Sequence, residues 1–403
     1  MADSRTRQVS LGTLLLVGGL SGVLFWQTQQ SPVGIVVAAA VLAAGAVVRV
    51  PTPTGGTLHV GAGVAAAVPL LFREVAAVGT VYGLGICAAY LLLQARPAQR
   101  RRAGRLFLSE VAGLSTLTLV FFLASSGLER NGLKGTWPDL AAVTLGAVTW
   151  FVVTSAMNSL IGYQEQRLGI RYLWLSSLGD WPVLVSLVAS GALFGFSYPL
   201  IGAWAFPMAT MPYGFSHLAF VRYHDTRGTY GQMIRALARI PEVAGLSADG
   251  HSARTADLAV VIGKELGLHP DWVAELEFAA LMHDIGRITL TEPAILKVGY
   301  TDDDIARWGA QIIEEAPYLR SVAGLVAQQY EAYRKPGEER DPSVPRASQI
   351  IRVASAYDKA VYEMGLPPLE ALEVLHRGAA YDFDPDIVRS LRKVVARRGL
   401  VAA

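Results

Sequence analysis

The adjacent side chains of His283 and Asp284 are the residues of this sequence best suited to chemistry. They end an apolar run, residues 276–282, that has the composition of a buried helix. An imidazole and a carboxylate at a helix end can point at one divalent metal ion, and His251, at the start of an earlier predicted helix, can supply a third ligand. Mixed nitrogen and oxygen ligation suits Mn, Fe or Zn. We therefore predict His251, His283 and Asp284 as ligands of at most one ion.

The same three side chains have a second interpretation. Buried polar groups are normally hydrogen-bonded to one another, so the three residues could form a polar knot in the core without any metal. A His-Asp pair also occurs often by chance. The pair alone does not decide between the two interpretations, and its sequence context is needed.

Six motifs follow one another around the His-Asp pair. They are residues 250–254 (GHSAR), 266–268 (LGL), 278–287 (FAALMHDIGR), 294–296 (AIL), 352–358 (RVASAYD) and 383–385 (FDP). Together they resemble the HD superfamily and, within it, the HD-GYP family of bacterial cyclic-di-GMP phosphodiesterases, whose motifs read GHSxR, LGL, AALLHDIGK, ILxK, xVADxYDAL and FDPxxV. The resemblance spans about residues 231–395 and implies an all-helical, metal-dependent phosphohydrolase fold.

The resemblance also implies a damaged active site. Ser355 stands where the family has the metal-binding Asp of its VAD motif, and Gln328-Gln329 stand where it has two histidines. The Gly-Tyr-Pro turn is missing, and Arg287 replaces the lysine that often follows the pair. Asp358, three residues after Ser355 and on nearly the same helix face, is a candidate substitute ligand. A two-metal site is not expected, and Asp284 and Arg287 are the predicted catalytic residues.

The N-terminal half has the composition of a membrane domain. Hydrophobic residues make up 52% of the chain and charged residues only 17%, against about 25% charged in soluble domains. A helix needs about 20 apolar residues to cross a bilayer. We predict eight such segments, near residues 9–26, 33–50, 57–72, 75–95, 106–128, 137–161, 181–198 and 199–221. The third is short, and the last two meet at Tyr198-Pro199, so counts of six or seven stay open.

Loop charges predict the orientation of these segments. With the N-terminus inside, twelve arginines fall on the cytoplasmic side (Arg5, Arg7, Arg49, Arg96, Arg100, Arg101, Arg102, Arg105, Arg167, Arg171, Arg222 and Arg227) and three basic residues outside (Arg73, Arg130 and Lys134). This bias predicts a multi-pass protein of the cell (inner) membrane with both termini cytoplasmic. The few ionisable residues within the segments (His59, Glu110, Asp180 and His217) are interpreted as interfacial groups without a site.

The C-terminal half has the pattern of helices joined by short turns. The predicted helices are residues 251–266, 270–284, 302–316, 319–333, 346–364, 367–376 and 385–398, after an amphipathic connector near residues 231–240. The predicted fold class is therefore all-α. Its domains are a transmembrane domain at 1–222, a helical connector at 223–245 and an HD-GYP-like domain at 246–403.

Two functions follow from this organisation. The first is a membrane-anchored signalling or regulatory protein whose HD-GYP-like domain is weakly active or non-catalytic and binds a partner protein or a nucleotide second messenger. The alternative is an active mononuclear metal phosphohydrolase acting on a cyclic dinucleotide or nucleotide. A third function, transport, has little support. The lipid bilayer is an expected partner and a homodimer a further one, while no basic run indicates nucleic acid.

Overall fold

The computed structural model describes residues 2–52, 57–96, 99–133, 135–166, 168–292, 295, 299–335 and 337–398. Lys134 and Arg167, two of the loop charges used above, lie outside these residues. The chain divides into two compact units, Met1–His224 and Asp225–Ala403. Both are built from helices, so the all-α prediction is confirmed. The further division of the second unit into a connector and an HD-GYP-like domain stays a prediction.

The first unit is a set of long apolar helices, one for each of the eight predicted segments, with one short helix added. They are α1 Ala2–Gln27, α2 Pro32–Val47, α3 Gly61–Phe72, α4 Val75–Gln94, α5 Arg100–Arg130, α6 Thr136–Gln166, the short α7 Ile170–Leu178, α8 Trp181–Ile201 and the start of α9 Ala205–Ala238. Among the described residues, four stretches are long and apolar enough to cross a membrane: Val75–Gln94, Ala103–Arg130, Thr136–Gln164 and the run of helices from Ile170 to Val243. Three further apolar helices, Gly12–Gln27, Pro32–Val47 and Gly61–Phe72, are shorter.

Two boundaries in this unit differ from the prediction. Residues expected in the second and third segments form a short hairpin, with β1 Arg49–Pro51 antiparallel to β2 Thr57–His59, because Pro51 has no N–H with which to continue α2. The break expected at Tyr198-Pro199 lies instead at Gly202, whose φ of 56° ends α8 before α9 begins. A proline in the last helical turn disturbs little, whereas a residue with positive φ stops a helix.

Helices α3 and α8 pack at very close range. A methyl group built on Gly191 of α8 would overlap the carbonyl oxygen of Gly63 on α3. One turn further along, a methyl group on Gly195 would lie 2.8 Å from Cβ of Leu70. Small residues of this kind let two helix backbones approach each other, which is how helices associate where no water is present to drive them together.

Two of the ionisable residues in the apolar segments meet inside the first unit. Nε2 of His59 lies 2.9 Å from Oε1 of Glu110, and the indole of Trp150 donates to the other carboxylate oxygen of Glu110 at 3.0 Å. All three side chains are buried. The prediction that His59 and Glu110 are interfacial groups is wrong, because hairpin β1–β2 places His59 against α5 and both side chains are buried.

The second unit is a helical domain around one core. After α9 it contains α10 Ile240–Val243, α11 His251–Glu265, α12 Pro270–Met282, α13 Asp302–Glu314, α14 Arg320–Ala327, α15 Arg346–Tyr362, α16 Pro368–Arg377 and α17 Pro385–Arg397. The predicted helices at 270–284, 302–316 and 319–333 are shorter in the structure, and a 3₁₀ helix, Ile285–Thr291, follows α12. Fully buried apolar residues of α11, α12 and α15, such as Ile262, Leu276 and Ile350, form the centre of the core. These three helices carry the predicted ligands or the residues beside them.

Candidate metal centre

Two helix ends bring the predicted ligands together. His251 is the first residue of α11 and follows Gly250, whose φ of 72° lets the chain turn sharply into the helix. His283 and Asp284 follow the last turn of α12. All three side chains are buried, with exposed fractions of 0%, 0% and 1%. The packing of α11 on α12 therefore converts two distant positions of the sequence into one cluster.

The ligand atoms of this cluster have the spacing of a metal site. The two histidine Nε2 atoms are 3.2 Å apart. Asp284 Oδ2 lies 3.8 Å from Nε2 of His251, and Oδ1 lies 3.6 Å from Nε2 of His283. Bonds of about 2.0–2.1 Å in tetrahedral geometry separate neighbouring ligand atoms by about 3.3 Å. Within the described residues, these three side chains are the single group of three or more His, Cys, Asp or Glu that could hold an ion.

The hydrogen bonds of the two imidazoles show which nitrogens are free to bind. Nδ1 of His251 lies 2.7 Å from Oδ2 of Asp358, and Nδ1 of His283 lies 2.8 Å from the carbonyl oxygen of Ala280. Both partners are acceptors, so each Nδ1 carries the proton. In the neutral form of the two rings, each Nε2 then presents a lone pair toward the other. Two such lone pairs at 3.2 Å repel unless a cation lies between them.

Few donors are available to relieve this conflict. The hydroxyl of Ser355 lies 3.3 Å from each Nε2 and has a single proton, so it can satisfy one of the two nitrogens. The hydroxyl of Ser247 donates to Oδ2 of Asp284 at 2.9 Å. The pocket thus contains more acceptors than donors, and this chemistry fits a divalent cation held by His251, His283 and Asp284.

The electrostatics of the cluster keep its side chains in the forms that bind metal. Nε of Arg287 lies 2.8 Å from Oδ1 of Asp284, an ion pair whose geometry is not that of a hydrogen bond. Burial alone would raise the pKa of Asp284, but the combined charges of its neighbours, among them Arg287, hold that pKa well below its usual range. Burial lowers the pKa of His283 to about 4, although the Asp284 carboxylate opposes the shift. At neutral pH the site therefore contains a carboxylate and a neutral His283, the forms that ligate metals.

Asp358 occupies a different position from the one predicted. Its Oδ2 faces Nδ1 of His251, on the side of the ring away from the cluster, and Arg254 donates to both carboxylate oxygens at 2.8 and 3.0 Å. The structure does not support Asp358 as a candidate substitute ligand, because both of its oxygens are engaged outside the cluster. Its position on the face of Ser355 was readable from the sequence, but the residue it contacts was not.

The residues at the missing family histidines have structural contacts instead. Gln329 is buried and donates through Nε2 to the carbonyl oxygen of His283 at 2.7 Å, which fixes the end of α12. Burial raises the pKa of the neighbouring Tyr330. Glutamine has no imidazole nitrogen to offer to a metal, and the amide nitrogen of Gln329 is used in this contact. The described residues around the cluster therefore provide one cation position.

Gly286 allows the 3₁₀ helix after the cluster to lie against α13. A methyl group at this position would overlap the carbonyl oxygen of Ile305 and lie 2.7 Å from the backbone nitrogen of Gly309. We expect Gly286→Ala to destabilise the second unit by at least about 2 kcal/mol, because backbone atoms cannot move aside. The measurement is a urea titration of the protein in detergent, read by hydrogen exchange in α12 and α13. The matched control, Gly324→Ala in α14, meets nothing within 4 Å and should stabilise by about 0.5–1 kcal/mol; equal effects of both changes would contradict the contact.

Comparisons with known proteins agree with this geometry. A family model described as an HD domain matches residues 243–387. A cyclic di-GMP phosphodiesterase of Thermotoga maritima is 24% identical over 179 residues, which cover 40% of this chain and 49% of that protein. A 3′3′-cGAMP-specific phosphodiesterase, number 3 of Vibrio cholerae, is 23% identical over 179 residues, which cover 40% of this chain and 38% of that protein. The matches thus span half or less of the length of these relatives.

A solved structure also matches. It is Bd1817, described as an HDG"Y"P protein from Bdellovibrio bacteriovorus, with 15% identity and a TM-score of 0.30 over 67% of this chain and 77% of that one. The segment that the family model matches contains His251, His283 and Asp284. Residues 243–387 therefore form an HD domain, homologous to cyclic di-GMP phosphodiesterases.

Proposed function

We propose that this chain is a membrane-anchored regulatory protein whose HD domain holds one divalent ion and binds a cyclic dinucleotide with little or no turnover. The relatives that act on cyclic di-GMP and 3′3′-cGAMP support the class of ligand. The four stretches long and apolar enough to cross a membrane support the anchoring, and the loop charges support a cytoplasmic HD domain. The metal ligands are His251, His283 and Asp284.

The observation that carries the proposal is that the described residues contain a single cation position. Rapid phosphodiester cleavage is commonly assisted by two ions about 3.5–4 Å apart that act on the attacking and the leaving oxygen. Here Oδ1 of Asp284 is paired with the guanidinium of Arg287, whose positive charge would disfavour a second cation beside it. Gln329 stands at one of the missing family histidines and holds the His283 carbonyl. These contacts favour binding over fast hydrolysis.

The residues around the centre have separable roles. A bound divalent ion supplies Lewis acidity toward a phosphoryl oxygen and a more acidic water. Arg287, whose side chain is 20% exposed, stabilises the Asp284 carboxylate and offers its remaining N–H groups to a phosphate. Ser247 holds the second oxygen of Asp284. A ligand phosphate would thus meet one cation and one guanidinium.

A second candidate function is hydrolysis by the same single ion. It is favoured by the fixed imidazole tautomers, because both Nδ1 atoms donate to fixed acceptors and leave both Nε2 atoms ready to bind. Metal enzymes with three protein ligands and one water are well established. The two candidates share their ligands and differ in turnover.

The test is binding and turnover measured on the same sample. The full-length protein in detergent, loaded with Mn²⁺, is incubated with cyclic di-GMP or 3′3′-cGAMP, and bound and linear nucleotide are quantified. We expect retained cyclic nucleotide and no more linear product than an Asp284→Asn variant makes, with Asp257→Ala, an exposed carboxylate of α11, behaving as the parent. Linear product formed by the parent and lost in Asp284→Asn would establish the second candidate. Failure to bind either nucleotide would refute both.

A further inference from the structure

The contact between Asp358 and His251 has a role that the ligand set alone does not explain. We propose that Asp358, held by Arg254, is a positioning residue that sets the metal affinity of the centre by fixing the proton of His251 on Nδ1. This inference rests on the metal site of the proposed function. Neither Asp358 nor Arg254 would touch a bound ion, so both would act on the metal only through His251.

The surroundings of Asp358 determine the direction of its hydrogen bond with His251. The carboxylate is buried, accepts from Nε and Nη2 of Arg254 at 2.8 and 3.0 Å, and lies 2.7 Å from Nδ1 of His251. A carboxylate that accepts a charged fork remains ionised and can only accept. His251 must therefore donate from Nδ1. The guanidinium itself lies 4.1 Å from the ring centroid of Tyr362, which supports it from the other side.

The consequence concerns the protein without its ion. If His251 carried its proton on Nε2, that N–H would point at the lone pair of His283 Nε2, 3.2 Å away, and form a hydrogen bond. The two ligands would then satisfy each other, and metal would have to break this bond before binding. Asp358 disfavours that closed arrangement of a neutral ring, because it would set the Nδ1 lone pair of His251 against a carboxylate oxygen 2.7 Å away. It keeps both Nε2 lone pairs directed at the cation position, as carboxylate partners of metal-binding histidines do.

The two histidines differ in how securely this proton is held. His283 donates to the backbone oxygen of Ala280, one turn earlier in α12, so no side-chain substitution can remove its acceptor. His251 depends on a side chain from α15, which belongs to a distant part of the sequence. The packing of α15 on α11 therefore fixes the proton of His251 on Nδ1, because it places Asp358 beside that nitrogen.

The first measurement is metal affinity. Full-length protein in detergent is stripped with a chelator and titrated with Zn²⁺ against a chromophoric competitor. We expect Asp358→Ala and Asp358→Leu to weaken Zn²⁺ binding by about 10–100-fold, the usual effect of losing such a partner. Leucine fills the space of the carboxylate and leaves no cavity. If both variants lose the same Zn²⁺ affinity, the lost hydrogen bond and not a cavity is the cause. Asp257→Ala should bind as the parent does, and folded Asp358 variants with parental affinity would overturn the proposal.

The second measurement reads the tautomer directly. The metal-free protein is labelled with ¹⁵N-histidine, and its spectrum contains signals from seven histidines. The signal of His251 is identified by its loss in His251→Gln. We expect this signal to be that of the Nδ1–H form. In Asp358→Leu we expect the Nε2–H form. A parent protein with His251 protonated on Nε2 would overturn the proposal, even if neither Asp358 variant folds. A parent that shows Nδ1–H and binds no Zn²⁺ would instead refute the proposed function and confine Asp358 to fixing the tautomer.

Discussion

Replacing His283 with alanine is expected to abolish metal binding. The parent protein, purified in detergent without chelator, should contain close to one equivalent of Mn, Fe or Zn, and His283→Ala should contain none. His283 supplies one of three ligands, its Nε2 3.2 Å from that of His251. Changes in residues that merely orient a ligand already cost about 10–100-fold in affinity, so loss of a ligand should cost more. Elemental analysis of both proteins is the measurement.

His376 provides the matched control for this experiment. It lies in the last turn of α16 and is not part of the cluster, so His376→Ala should retain the metal content of the parent. Metal retained in His283→Ala, or absent from a folded parent, would leave the three residues as a polar knot. In that case His283→Ala should lower thermal stability equally with chelator and with added metal.

Acidification is expected to destabilise the metal-free second unit by about 3 kcal/mol between a pH of about 6.5 and about 4. His283 is buried and its pKa is lowered from 6.5 to about 4, and each pKa unit corresponds to about 1.4 kcal/mol. In this window the unfolded chain binds a proton that the folded chain does not, so stability falls as the pH falls. Below about 4 the lowered pKa values of Asp284 and Asp358 add a loss in the same direction.

Hydrogen exchange of the buried α11 and α12 amides, corrected for intrinsic exchange, measures this loss in the full-length protein. The control is His283→Gln, which removes the titrating group and keeps a polar side chain. Its stability should be nearly independent of pH from about 6.5 to about 4. The same slope in parent and variant would show that His283 is not the group responsible.

The sequence was sufficient for the parts of this fold that depend on local pattern. Apolar runs of membrane length predicted the helices of the first unit except the short α7, and periodicity with proline at helix starts predicted α12, α16 and α17 close to their observed bounds. His251, His283 and Asp284 could be selected because helix ends and a family motif mark them. The family model then matched the segment that contains all three residues.

The contacts between distant elements could not be predicted. The role of Asp358 depends on the docking of α15 against α11, which brings together residues more than a hundred positions apart. His59 and Glu110 were both noticed as ionisable residues, but their pairing requires the hairpin of β1 and β2, whose short strands carry no alternating pattern. The predicted helix ends were wrong where the backbone conformation of one residue decides the boundary, as at Gly202.

The close contact of Gly63 with Gly191 has a consequence for biosynthesis. Helix α3 has 12 residues and is about 18 Å long, too short to span a hydrocarbon layer of about 30 Å by itself. Its glycine-lined partner, α8, begins at Trp181, and at about 5–20 residues per second a ribosome needs about 5–20 s to add the residues between them. During that interval α3 is held only by the helices made before α8. The contact between α3 and α8 is therefore made only after about half of the 403 residues have been translated.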